Sequence, residues 1–111
     1  MNNTKDEFLG AGSFSIRKSI SYSDNAIVSK QVIKKTSGSI TLFSFDKGQE
    51  LSEHTTPFDA LVQVLEGKVR IRIGKNELTL EEGFSVIMPG NVPHAVHAIE
   101  KFKMLLTMIK E

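Results

Sequence analysis

Turn-forming residues break this chain at short intervals, at Asp24-Asn25, Ser37-Gly38, Asp46-Lys47-Gly48, Pro57, Glu66-Gly67, Gly74-Lys75-Asn76, Glu82-Gly83 and Pro89-Gly90. Between them lie short runs rich in Val, Ile, Leu and Phe, the pattern of strands joined by tight turns. The clearest run alternates Lys68, Arg70 and Arg72 with Val69, Ile71 and Ile73, a period of two that excludes a helix and gives one wet and one apolar face. Beyond the Gly74-Lys75-Asn76 turn, Leu78 and Leu80 alternate with Glu77, Thr79 and Glu81, completing a hairpin whose apolar face continues the first. Further strands are expected over 27–34, 39–45, 59–65, 84–88, 94–99 and 102–110. That makes roughly eight to ten strands with no helices between them, which disfavours parallel βαβ units. So many antiparallel strands close into a barrel or a double-sheet jelly roll rather than lie in one exposed sheet.

At 111 residues the chain makes one domain around one core. Fourteen Lys and Arg stand against 13 Asp and Glu, a net charge of +1 that supplies no field to gather nucleic acid or an anionic membrane. The absence of cysteine removes disulfides, thiolate metal sites and Cys nucleophiles together, and leaves three histidines, His54, His94 and His97, for metal or proton chemistry. No Gly-x-Ser-x-Gly elbow and no Gly-rich phosphate loop occurs. Residues 1–12 place Asp6 and Glu7 beside Lys5 and lack the basic and apolar regions of an export signal, so a cytoplasmic location is expected. The most apolar stretch, 104–109, falls far short of the roughly 20 residues that span a bilayer and reads as a buried strand. Residues 1–14 are expected to form a flexible or weakly docked arm on a single domain over 15–111.

Two segments carry specific punctuation. One runs from Gly48 through His54, Thr56, Pro57 and Ala60 to Gly67; the other runs from Gly83 through Pro89, Gly90 and Asn91 to His94. This spacing resembles the two motifs of the cupin family, small RmlC-like jelly rolls. The first motif is Gly, five residues, His-x-His, three or four residues, Glu, six residues, Gly. The second is Gly, five residues, Pro-x-Gly-x-x-His-x-x-x-Asn. The resemblance covers about half of the chain, from Phe43 to Ala98, and implies an antiparallel cupin barrel, a double-stranded β-helix. In that family two His, the Glu and the second-motif His hold one divalent metal, so the resemblance places His54 and His94 as metal ligands, with Mn, Fe, Ni or Zn as the ion. Thr56 stands at the second His position and Ala60 at the Glu position, while Ala98 replaces the Asn and Asn91 the second-motif Gly. Half of the ligand set is lost, so the ion is expected to be weakly held.

Strand alternation sorts the neighbours. His54 and Thr56 share a face, as do Ala60, Val62 and Val64, whereas Gln63 and His97 point away, His97 needing a bulge to join. Asp59, beside Ala60, should also face outward. Loss of the Glu is expected to open an apolar pocket in which His54, Thr56, Ala60, Val62, Met88 and His94 contact a small molecule, with Phe43 or Phe45, Val64, Ile71 and Met104 as further candidates. A plainer arrangement has His54 and His94 hydrogen-bonded to each other, to Thr56 or to water in the barrel mouth. Three functions stay open: a small-molecule-binding cupin, a metal-dependent dioxygenase or isomerase acting on a small polar substrate, and a non-catalytic sensor module. The exposed edge that the run 27–34 supplies, together with the habit of small cupins, implies a homodimer.

Overall fold

The computed structural model describes Phe8 and residues 10–111. A short 3-10 turn, Arg17–Ser19, precedes nine strands: β1 (Ile27–Lys35), β2 (Gly38–Phe45), β3 (Glu50–His54), β4 (Asp59–Glu66), β5 (Lys68–Ile73), β6 (Asn76–Glu81), β7 (Ser85–Met88), β8 (His94–Ala98) and β9 (Phe102–Ile109). They form two sheets, β1-β2-β9-β4-β7 and β3-β8-β5-β6, with every neighbouring pair antiparallel. This is the antiparallel double-sheet fold that the alternation predicts. Among the described residues no helix is long and apolar enough to cross a membrane.

The faces follow the period of two. Val69 and Ile71 of β5 are buried while Arg70 and Arg72 are exposed, and β4 buries Ala60, Val62 and Val64 but leaves Leu61, Gln63 and Leu65 half-buried on its other side. The strand that alternation does not single out is β3. Only Leu51 of its five residues is even partly covered, because β3 is an edge strand and carries no apolar alternation. β3 also ends at His54, so Thr56 lies beyond it in the bend that leads to β4, and not on a strand with His54 as the two-residue spacing suggested.

Register sets the layers of the interior. Phe45 pairs with Phe102, Phe43 with Met104, and Ala60 with both Met88 and Met108, so the core runs from a phenylalanine row to a methionine row. At the first end the Phe45 and Phe102 rings lie 4.5 Å apart, both fully buried. At the other end His54 of β3 faces His94 of β8.

Residues 15–22 lie against the outer face of β1, β2 and β9. Ile20 is buried, the Ser44 hydroxyl donates to Ser21 O (2.9 Å), and the Lys103 ammonium donates to Arg17 O (2.7 Å). Of the arm expected over 1–14, residues 1–7 and 9 lie outside the described residues, and the Phe8 ring meets Phe14 edge-on at 5.1 Å. Tyr22 fastens the end of this segment. Its hydroxyl donates to Glu66 Oε2 at 2.5 Å, and Lys101 and Lys103 sit over its ring at 5.4 and 5.3 Å. Burial, then the Glu66 carboxylate, hold the phenol above its ordinary range and therefore neutral. Tyr22→Phe is expected to cost about 1–2 kcal/mol in urea unfolding at neutral pH, since it strips one charge-assisted hydrogen bond.

Candidate functional site

β3 and β8 pair in register at His54 and His94, 40 residues apart in sequence, and this pairing brings the two imidazoles together. Their Nε2 atoms are 3.0 Å apart, with ring centroids 4.3 Å apart and the planes at 70°. His94 is buried and His54 sits at the exposed rim. Two hydrogen bonds tie the loops at this end together. The Gly90 N–H donates to Asp59 Oδ1 (2.8 Å) and the Asn91 N–H to Thr56 O (2.6 Å). A side chain at Gly90 would meet Pro57 O at 2.6 Å, so glycine is required there, and Asn91 takes the left-handed φ of 65° that asparagine tolerates.

The tautomers follow from the partners. His54 Nδ1 lies 3.0 Å from Ser52 O and His94 Nδ1 lies 3.3 Å from Val92 O. A carbonyl only accepts, so these contacts favour a proton on each Nδ1. The two Nε2 atoms lie at hydrogen-bond distance, 3.0 Å, so one proton between them joins the rings, which is the plainer arrangement expected of two histidines bonded to each other. A guest that takes the place of that proton, a hydrogen-bond donor or a cation, would meet both Nε2 lone pairs. Burial, and after it the neighbouring His54, hold the His94 imidazole below its ordinary value and disfavour a resident proton there. In the unfolded chain His94 titrates normally, so as pH falls through about 6.5 the unfolded state takes up its proton first and the folded state loses stability. A thermal midpoint that falls between pH 7.5 and 5.5, with a shallower fall in His94→Gln, is the expected result.

Beside the pair lies a largely enclosed cavity of about 40 Å³, lined by His54, His94, Thr56, Ala60, Met88, Met104 and Met108 with Leu51, Val96 and Leu106. Of the residues expected to contact a ligand, His54, Thr56, Ala60, Met88 and His94 line it; Val62 does not, being fully buried in the core one row further in. The cavity is also smaller than the lost Glu suggests, because Met88 and Met108 flank Ala60 across the sheet and occupy the space. Met108, Leu106, Leu51 and Val96 are lining residues that motif spacing misses. Extending the alternation of β9 inward from Met104 finds Leu106 and Met108.

The four-donor set of the family's divalent ion does not fit these residues. The Thr56 hydroxyl donates to Phe58 O (3.3 Å), Ala60 has no donor, and His97 lies on the opposite face, 2.8 Å from Glu50. Among the described residues no group of three His, Cys, Asp or Glu converges as a metal cage. A wider concavity of about 340 Å³ on the outer face of the four-stranded sheet holds His97 among paired charges, Arg72 with Glu53 at 2.7 Å and Arg70 with Glu77 at 3.8 Å.

Two facing antiparallel sheets with paired histidines at one mouth define a jelly-roll barrel with an inward-facing site. Residues 41–110 match the cupin domain family, and the chain belongs to it. It is similar in structure to a conserved protein of unknown function from Streptococcus pyogenes, with 33% identity, a TM-score of 0.87, and 92% of this chain and 90% of that one covered. A cupin 2 conserved barrel domain protein from Leptotrichia buccalis is 38% identical with a TM-score of 0.84; the match covers 87% of this chain and 47% of that longer one. A cupin superfamily protein from Desulfitobacterium hafniense is 26% identical with a TM-score of 0.80, over 83% of this chain and 84% of that one. No protein of curated function matches the chain.

Proposed function

We propose that this cupin domain is a binding module that holds a small guest between His54 and His94: the hydrogen-bond-donor end of a small molecule, or a weakly held ion. The observation that carries this reading is the pair of Nε2 atoms 3.0 Å apart, with each Nδ1 against a backbone carbonyl. A cavity of about 40 Å³ accommodates a polar end group, since one water needs roughly 10–15 Å³, and the exposed His54 lets the rest of a ligand extend outward. A divalent ion on two neutral imidazoles, completed by water, is held weakly. The row Ile87, Leu61, Thr107 and Ile40 across the outer face of the five-stranded sheet supports a homodimer, with Ile87 63% exposed.

The test is a thermal-shift screen of small amines, amides, alcohols and carboxylic acids, together with metal analysis after dialysis against a chelator. A compound that raises the midpoint of the wild type but not of His54→Ala or His94→Ala supports the reading. Equal shifts in both variants overturn the site. Stoichiometric divalent metal surviving the dialysis overturns the weak-ion reading in favour of a metal-dependent dioxygenase or isomerase.

A further inference from the structure

The chain has four methionines, and three of them, Met88, Met104 and Met108, line the one small cavity that also contains the two imidazoles. Two of the three sit on either side of Ala60 in the sheet register, at the place the missing carboxylate would serve. Methionine is uncommon enough that this concentration changes the chemistry of the cavity. A cation that replaces the proton between the two Nε2 atoms would sit in a cavity walled by imidazole and methionine, with no carboxylate among the lining residues.

We propose that the guest this site selects is a soft monovalent metal, Cu(I), held by His54 and His94 with thioether donors from the methionine row. The inference rests on the two-histidine reading above and goes beyond it in naming the class of ion. Three physical arguments carry it. Thioether and imidazole ligands favour Cu(I), whereas carboxylate and water favour Mn and Fe(II). The lining residues carry no negative charge, and burying a divalent ion in such surroundings costs roughly four times as much as burying a monovalent one, because the Born cost grows with the square of the charge. The geometry of the pair also admits a metal: with each Nε2 about 2.0–2.1 Å from a shared ion, a separation of 3.0 Å sets an angle of roughly 91–97°, a small hinge away from tetrahedral.

The experiment is an anaerobic titration of the full chain with Cu(I), supplied as its acetonitrile complex against a bicinchoninate competitor, with Zn(II) and Mn(II) titrated in parallel. Expected are about one Cu(I) per chain, tighter binding of Cu(I) than of Zn(II), and a loss of roughly tenfold in Cu(I) affinity for each of Met88→Leu and Met108→Leu. Zn(II) affinity should stay within about twofold in those variants, which conserve volume. X-ray absorption at the copper edge of the wild type, which needs no variant to fold, should show both sulfur and nitrogen neighbours. A nitrogen-only shell, unchanged Cu(I) affinity in both methionine variants, or Zn(II) bound as tightly as Cu(I) overturns the proposal while leaving the two-histidine site standing. Cu(I) affinity unchanged in both His54→Ala and His94→Ala overturns the underlying site as well.

Discussion

Gly67→Ala is expected to lower the thermal midpoint by about 15 °C, the equivalent of about 3 kcal/mol in a domain of this size. Gly67 joins β4 of one sheet to β5 of the other and has a φ of 85°, which costs a residue with a Cβ about 1–2 kcal/mol by itself. Here a Cβ would also stand 1.9 Å from Lys101 O and 2.6 Å from Phe102 Cα. Both are backbone atoms, so relief requires shifting the start of β9. That shift draws the Phe102 ring off Phe45 at the centre of the core. Gly83→Ala supplies the control: its φ is 87°, yet nothing lies within 4 Å of the added atom, so it should cost only about 1 kcal/mol. Equal losses in the two variants, measured by urea and thermal unfolding, would show that the close approach to β9 is not what demands glycine at Gly67.

Ala60→Glu restores the residue type that the family motif places there, and metal should largely offset its cost. Ala60 is 4% exposed between Met88 and Met108, so a glutamate must displace their side chains and lose hydration. Metal-free variant is expected to be about 2–4 kcal/mol less stable than wild type. With Mn(II) or Zn(II) added at about 100 times the dissociation constant, some 2.7 kcal/mol should return, because the ion binds only the folded state. A third donor carrying negative charge should also tighten divalent binding by roughly tenfold or more over the wild-type pair. A variant whose midpoint ignores divalent ions would show that position 60 does not face the histidines as a ligand.

These two positions also mark how far the sequence is legible. Gly67 and Ala60 are found by motif spacing, and the alternation of β4 and β5 assigns their neighbours to inner and outer faces without error at Gln63 or Arg70. His97 is likewise placed outward, three residues from His94 on an extended strand. Local backbone geometry governs all of this, since a strand must alternate its side chains whatever surrounds it. β3 escapes because an exposed edge strand has no apolar period to read.

What the sequence by itself determined, then, is an antiparallel all-β barrel, the faces of its apolar strands, and the motif spacing that singles out His54 and His94. Only the tertiary structure decided that their Nε2 atoms lie 3.0 Å apart with both Nδ1 atoms turned to carbonyls, and that methionines from β7 and β9 close over the space beside Ala60. Those features depend on register between residues 28 to 48 apart in sequence and on how side chains fill a shared volume. Such distances and volumes are set by packing across sheets, which no local period encodes.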